Sequence, residues 1–85
     1  MFNDLLTDRI TVKTTDGKIF TDVAASVQGN KVFTERTDIP LRSGDQICRV
    51  TPAGVDEVFV IEDPGFHSGG GDLPDTYQMR VQRCG

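Results

Sequence analysis

No apolar run in this sequence approaches the ~20 residues that a membrane-spanning helix needs. The opening Met1-Phe2-Asn3-Asp4-Leu5-Leu6-Thr7-Asp8 has neither the positive start nor the apolar stretch of a secretory signal. A membrane is therefore not expected as a partner, and the expected location is the cytoplasm or a virion. Cysteine is scarce: Cys48 and Cys84 are too few for a disulfide framework. Cys48 falls inside a strand pattern and reads as a small buried hydrophobe, and Cys84, next to last, reads as exposed. The single histidine, His67, and two cysteines without a short-spaced pair fall short of the about four ligands of a zinc site. No motif pairs either cysteine with His67 as nucleophile and base. No metal, cofactor or catalytic residue is expected, and the chain reads as non-enzymatic.

Basic residues are also in the minority, 9 against 13 acidic, for a net charge of −4. Nucleic-acid binding rests on neutralising phosphates, so an acidic chain is not expected to bind nucleic acid through its overall field. Local basic positions remain at Arg36, Arg42, Arg80 and Arg83. Long amphipathic segments are missing as well. Phe2, Leu5 and Leu6 recur at helical spacing and Asn3 can cap the turn, but the stretch is too short for more than one helical turn.

What the sequence does contain is a series of short strands. Its 85 residues suit one domain with one core. Arg9–Thr14 alternates with Ile10 and Val12 on one face, and Asp16-Gly17 follows as a hairpin turn. Residues 18–28 form the next strand, with Ile19, Val23 and Val27 as apolar positions and a bend or close approach at Ala24-Ala25-Ser26. Gly29-Asn30 turns the chain into a strand over 31–35. Arg36–Leu41 is a connector, since Pro40 cannot donate a ladder hydrogen bond. Gly44-Asp45 leads into 46–51, and Pro52-Ala53-Gly54 turns into the continuous apolar run Val58–Ile61. That run reads as a central strand covered on both faces or as one plugging a small barrel. Asp63-Pro64-Gly65 ends it. The last strand covers 76–83, with Tyr77, Met79 and Val81 facing in. The expected fold is all-β: a small six-stranded antiparallel barrel or sandwich, meander-like, with a short N-terminal helical turn.

The segment from Phe66 to Pro74 is the one long loop. Its Gly69-Gly70-Gly71 could present bare N–H groups to an anion. It lacks the Gly-Lys-Ser/Thr ending and following helix of a P-loop, so a flexible loop is the simpler reading. His67 has Asp63, Asp72 and Asp75 near in sequence, yet no nucleophile or metal to act on, and reads as a structural or interface residue. Phe66 either folds back onto the core or stands out as an aromatic anchor. Asp56, Glu57, Glu62 and Asp63 match no calcium loop and read as solvated strand ends.

Two resemblances rest on particular residues. Leu41-Arg42-Ser43-Gly44-Asp45-Gln46-Ile47, followed by Glu57-Val58-Phe59-Val60-Ile61-Glu62-Asp63, resembles the Gly-Asp turn and hairpin of small phage neck and tail barrels. These are the head–tail joining, stopper and tail-completion proteins. Asp63-Pro64-Gly65-Phe66-His67, then Pro74-Asp75-Thr76-Tyr77-Gln78-Met79-Arg80-Val81, is similar to a small β-domain of uncharacterised bacterial proteins often associated with mobile elements. That family has a histidine where this chain has Thr76. The first resemblance implies a head–tail connector or tail-associated particle component, and the second implies no known activity. The expected function is thus a non-enzymatic structural module acting through protein contacts. The partners would be copies of itself in a ring or neighbouring virion proteins. The alternative is a free cytosolic protein-binding regulatory module in a defence or counter-defence setting. The expected interface is the glycine-rich loop and its flanks: Phe66, His67, Gly69, Gly70, Gly71, Leu73 and Tyr77.

Overall fold

Alternating apolar side chains give this chain its strands, and the turn residues between them set where each strand stops. A computed structural model describes residues 8–84; the helical turn expected at Phe2, Leu5 and Leu6 lies outside them. The strands are β1 (Asp8–Lys13), β2 (Ile19–Gln28), β3 (Lys31–Thr34), β4 (Gln46–Val50), β5 (Asp56–Asp63), β6 (Phe66–His67) and β7 (Thr76–Cys84). All pairings are antiparallel, in the order β3-β2-β1-β4-β5-β7, with the short β6 also on β7. A further pairing of β3 with β7, from Lys31↔Arg80 to Thr34↔Tyr77, closes six strands into a barrel. Closure leaves these strands without the long free edges of an open sheet.

The barrel consists of two meanders, β1-β2-β3 and β4-β5-β7, joined by the connector from Glu35 to Asp45. Its interior is filled by Ile10, Val12, Val23, Ala25, Val32, Ile47, Phe59, Ile61, Tyr77, Met79 and Val81. The connector contributes Ile39 and Leu41 to the same core from either side of Pro40. Within the run Val58–Ile61 only Phe59 and Ile61 are buried; Val58 and Val60 are half-buried on the outside. The apolar run is therefore one-faced, since every strand of a closed barrel has an inner and an outer side.

Two bulges shape the barrel. In β2 the register against β1 shifts between Ile10 and Val12, and Asp22 there adopts φ 56°, a left-handed conformation that aspartate tolerates better than most residues. In β5 the register against β7 shifts between Ile61 and Asp63. The hairpins follow their sequence signals. Gly29 opens the two-residue β2–β3 turn at φ 63°, and the Thr14 carbonyl accepts the Gly17 N–H at 3.0 Å in the β1–β2 turn.

Asp45 ties the connector to the barrel. It is 1% exposed, and its carboxylate accepts the Thr15 N–H at 2.9 Å and the Arg42 N–H at 2.8 Å. Its own carbonyl accepts the Ile61 N–H at 2.8 Å, and the Ile61 carbonyl accepts the Gly44 N–H at 2.8 Å. The Gly44-Asp45 turn thus joins the β1–β2 hairpin, the connector and β5 at one point.

Candidate functional site

Beyond Asp63 the chain leaves β5, passes Pro64-Gly65, and returns to pair with β7 as β6, with Phe66↔Tyr77 and His67↔Thr76. Phe66 and His67, expected in a loop, are therefore strand residues. Together with β7 they form an arm that carries the β5–β7 ladder onward. Gly65 is the hinge of that arm. It has φ 58°, its N–H donates to Asp63 Oδ1 at 2.9 Å, and its carbonyl accepts the Gln78 N–H at 2.9 Å. A Cβ at Gly65 would stand 2.2 Å from the Gln78 carbonyl oxygen.

The glycine-rich segment at the tip is folded back on itself rather than slack. The Leu73 N–H donates to the Gly70 carbonyl at 3.0 Å, and Gly71 sits at φ 60° inside that turn. A glycine with positive φ at the first central position, followed by a residue without it, is the pattern of a type II′ turn. Gly69 donates its N–H to Asp75 Oδ1 at 2.7 Å. A Cβ on Gly69 would lie 2.1 Å from the Leu73 carbonyl oxygen. The three glycines therefore have different roles: Gly69 permits a close backbone approach, Gly71 supplies the turn, and Gly70 accepts the closing hydrogen bond.

This tip displays apolar side chains. Leu73 is 63% exposed and Phe66 is 53% exposed. Phe66 leans edge-on against Tyr77, with ring centroids 5.6 Å apart at 70°, a geometry that aromatic quadrupoles favour. It stands out from the barrel while resting on it. Tyr77, expected to face in and also expected at the interface, is buried and forms the floor beneath Phe66. Its hydroxyl donates to the Ile39 carbonyl at 2.8 Å and accepts the Leu41 N–H at 3.4 Å. Removing that hydroxyl leaves the Ile39 carbonyl and Leu41 N–H short of a partner in a buried place. Tyr77→Phe is expected to cost about 1–2 kcal/mol. The check is a Tm lower by roughly 5–10 °C, with faster hydrogen exchange at the Leu41 amide.

His67 has none of the orienting partners that the sequence placed near it. Asp63 and Asp75 accept backbone N–H groups, of Gly65 and Gly69 respectively. Among the described residues, no group of three or more His, Cys, Asp or Glu side chains is placed to hold a metal ion. His67 instead borders a groove of about 330 Å³ on the outer face of β2, β3 and β7, together with Phe33, Gln78 and Arg80. Cys48 and Cys84 both pair with Val58, from opposite sides. Two strand spacings put their Cα atoms about 9–10 Å apart, too far for a disulfide. Cys48 is half-buried on the outer face rather than in the core.

The opposite end of the barrel carries a feature the sequence reading missed. Glu57, read there as a solvated strand end, is 9% exposed. Arg49 and Glu57 are register partners on β4 and β5, two residues beyond the core pair Ile47↔Phe59, and so point inward. Arg49 Nε donates to Glu57 Oε1 at 2.9 Å, Arg49 also reaches Asp8 at 3.2 Å, and Arg83 lies 3.4 Å from Glu57. Asp8 in turn accepts the Val27 N–H at 2.9 Å. The Glu57 hydrogen bond first, then both carboxylate charges, hold the Arg49 guanidinium above its usual pKa, so the network keeps its cation. These groups close the barrel with ion pairs where the arm end is closed by Ile39, Leu41 and Tyr77. Strict alternation of Ile47 with Arg49, and of Phe59 with Glu57, was the signal available in the sequence.

No helix among the described residues is long and apolar enough to cross a membrane. No protein-family model, curated protein or solved structure matches the chain. The arm, the groove beside it and the ionic end are therefore the features on which a functional reading stands.

Proposed function

We propose that this barrel is a non-enzymatic assembly module of a phage or prophage-derived particle, a head–tail connector or tail-associated component, acting through protein contacts made by its arm. The observation that carries the reading is the exposure of Phe66 and Leu73 on a tip whose backbone is already folded. Large apolar side chains at the centre of a contact supply much of its energy. A tip held in shape before binding avoids the ordering cost of a slack loop, about 1–2 kcal/mol per residue. Phe66 resting on Tyr77 is such an anchor, with its support inside the barrel. The resemblance of the Gly44-Asp45 turn and the β5 segment to phage neck barrels supplies the setting.

The test is recovery of partners by the tagged protein from its host's lysate, with and without prophage induction, identified by mass spectrometry. Connector, portal or tail proteins recovered only after induction support the particle reading. One host protein recovered regardless of induction supports a free regulatory module in its place. Phe66→Ser and Leu73→Ser are expected to reduce partner recovery by about ten-fold or more, the equivalent of about 1.4 kcal/mol at the contact. Leu73→Ser should leave the Tm within a few degrees, since exposed substitutions shift stability by about 0.5 kcal/mol or less.

A further inference from the structure

The groove beside the arm carries charge of the sign opposite to that of the chain. Lys31 and Arg80 are register partners on β3 and β7, and both point outward, since Val32 and Met79 on the same ladder point in. Like charges directly opposed across an antiparallel ladder destabilise it, so stability does not explain their placement. Arg80 is met by Glu62 at 3.3 Å from the β5 side, and Lys31 forms no ion pair among the described residues. Among the described residues no carboxylate lines the groove, although the chain has 13 acidic residues against 9 basic ones. Phe33 and Gln78, the next outward pair on the same ladder, add an aromatic surface and a side-chain amide, and Gln28 adds a second amide. His67, next to the anchor Phe66, joins the groove to the arm.

We infer that this groove receives an extended acidic segment of a protein partner. Its carboxylates would meet Lys31 and Arg80, an apolar side chain would lie on Phe33, and Gln28 and Gln78 would bond its backbone. The inference rests on the reading of the barrel as a protein-binding module and adds the chemistry of what it binds. A nucleic-acid strand is the other polyanion that could be drawn to cations, but a net charge of −4 opposes a polyphosphate more than a segment of a few carboxylates.

A short synthetic peptide of glutamates around one phenylalanine, titrated into the full chain and followed by amide chemical shifts, tests this. The expected result is saturable shifts confined to residues 26–33 and 78–80, weakened by added salt. Binding should fall by about ten-fold or more in Lys31→Glu, with Lys31→Gln giving a smaller loss. Both substitutions are on the surface, and an unchanged Tm establishes that each variant is folded. Equal binding of the same peptide with glutamine in place of glutamate overturns the inference. So does unchanged binding by Lys31→Glu, tighter binding of a single-stranded oligonucleotide, or no shift at millimolar peptide. Lysate recovery separates the two readings. A partner released by Phe66→Ser but kept by Lys31→Glu removes the acidic-segment inference and leaves the module standing; a partner kept by both removes the module.

Discussion

Gly65→Ala is expected to lower stability by about 3 kcal/mol or more, the largest loss of any small substitution outside the core. Two independent causes combine. The backbone there has φ 58°, a conformation that costs a non-glycine residue roughly 1–2 kcal/mol. The new methyl would also stand 2.2 Å from the Gln78 carbonyl oxygen, well inside van der Waals contact and against backbone rather than a movable side chain. Relief requires breaking the Gly65–Gln78 ladder bond of 2.9 Å. That bond lies between β6, the β5 bulge and the stretch of β7 that pairs with β3 to close the barrel. The strain therefore falls where arm and closure meet. A domain of this length loses roughly 4–8 °C of Tm per kcal/mol, so the midpoint of thermal unfolding should drop by about 12 °C or more. Gly71→Ala is the control. It has a similar φ of 60° but open space around the added methyl, so it should cost only about 1–2 kcal/mol. Equal losses at the two positions would mean that the close approach to Gln78 does not matter. Gly69→Ala should behave differently from both. Its methyl would meet the Leu73 and Pro74 carbonyls, all within the tip, so it should open the tip and weaken partner binding while leaving the barrel's Tm nearly unchanged.

The contrast among these glycines shows what was legible in the sequence and what was not. Side-chain alternation marks Ile10 with Val12, and Tyr77 with Met79 and Val81, as inward pairs, and the structure buries all five. The turn residues Asp16-Gly17 and Gly29-Asn30 likewise mark hairpins that are present. These signals are local: each needs only a few neighbouring residues to be read. Closure of β3 on β7 is not local. It depends on how far each strand is sheared against the next, and no single residue encodes that shear. The same limit hid the buried charges. Glu57 reads as a solvated strand end until the register places it opposite Arg49, with Arg83 from β7 beside it. The run Gly69-Gly70-Gly71 suggested slackness because glycine is permissive. The structure uses that permissiveness at Gly69 and Gly71 to make a tight tip, a distinction visible only when the Leu73 carbonyl is seen against Gly69. At the candidate site, Phe66 and Leu73 were identifiable as large apolar residues in a polar, glycine-rich setting. Lys31, Arg80 and Phe33 were not, because β3 and β7 are far apart in sequence and only their pairing brings the three into one groove.

Asp45→Ala is the second large effect expected, about 3 kcal/mol, and it tests whether the Gly44-Asp45 turn is a structural joint or a contact surface. The Asp45 carboxylate is buried and accepts two backbone N–H groups, from Thr15 at 2.9 Å and Arg42 at 2.8 Å. Alanine leaves both donors without that acceptor. A buried donor stripped of its partner costs about 1–3 kcal/mol, more than the bond contributed when made, because the group has lost its water as well. The two donors belong to different parts of the chain, the β1–β2 hairpin and the end of the connector, so their loss loosens the arm end of the barrel from two sides. A drop in Tm of about 12 °C or more is expected, with the amides of Thr15 and Arg42 losing protection from hydrogen exchange before those of the β4–β5 ladder. Asp45→Asn should recover part of the loss, since its carbonyl can serve one donor while its amide group cannot serve the other. Asp56→Ala, at an exposed position, should change stability by about 0.5 kcal/mol or less. If Asp45→Ala behaved like Asp56→Ala in the melt yet released a partner, the turn would be part of the contact surface. A large loss of stability instead makes it the joint that holds the connector over the barrel, with Ile39 and Leu41 seated against Tyr77 and the arm supported from below.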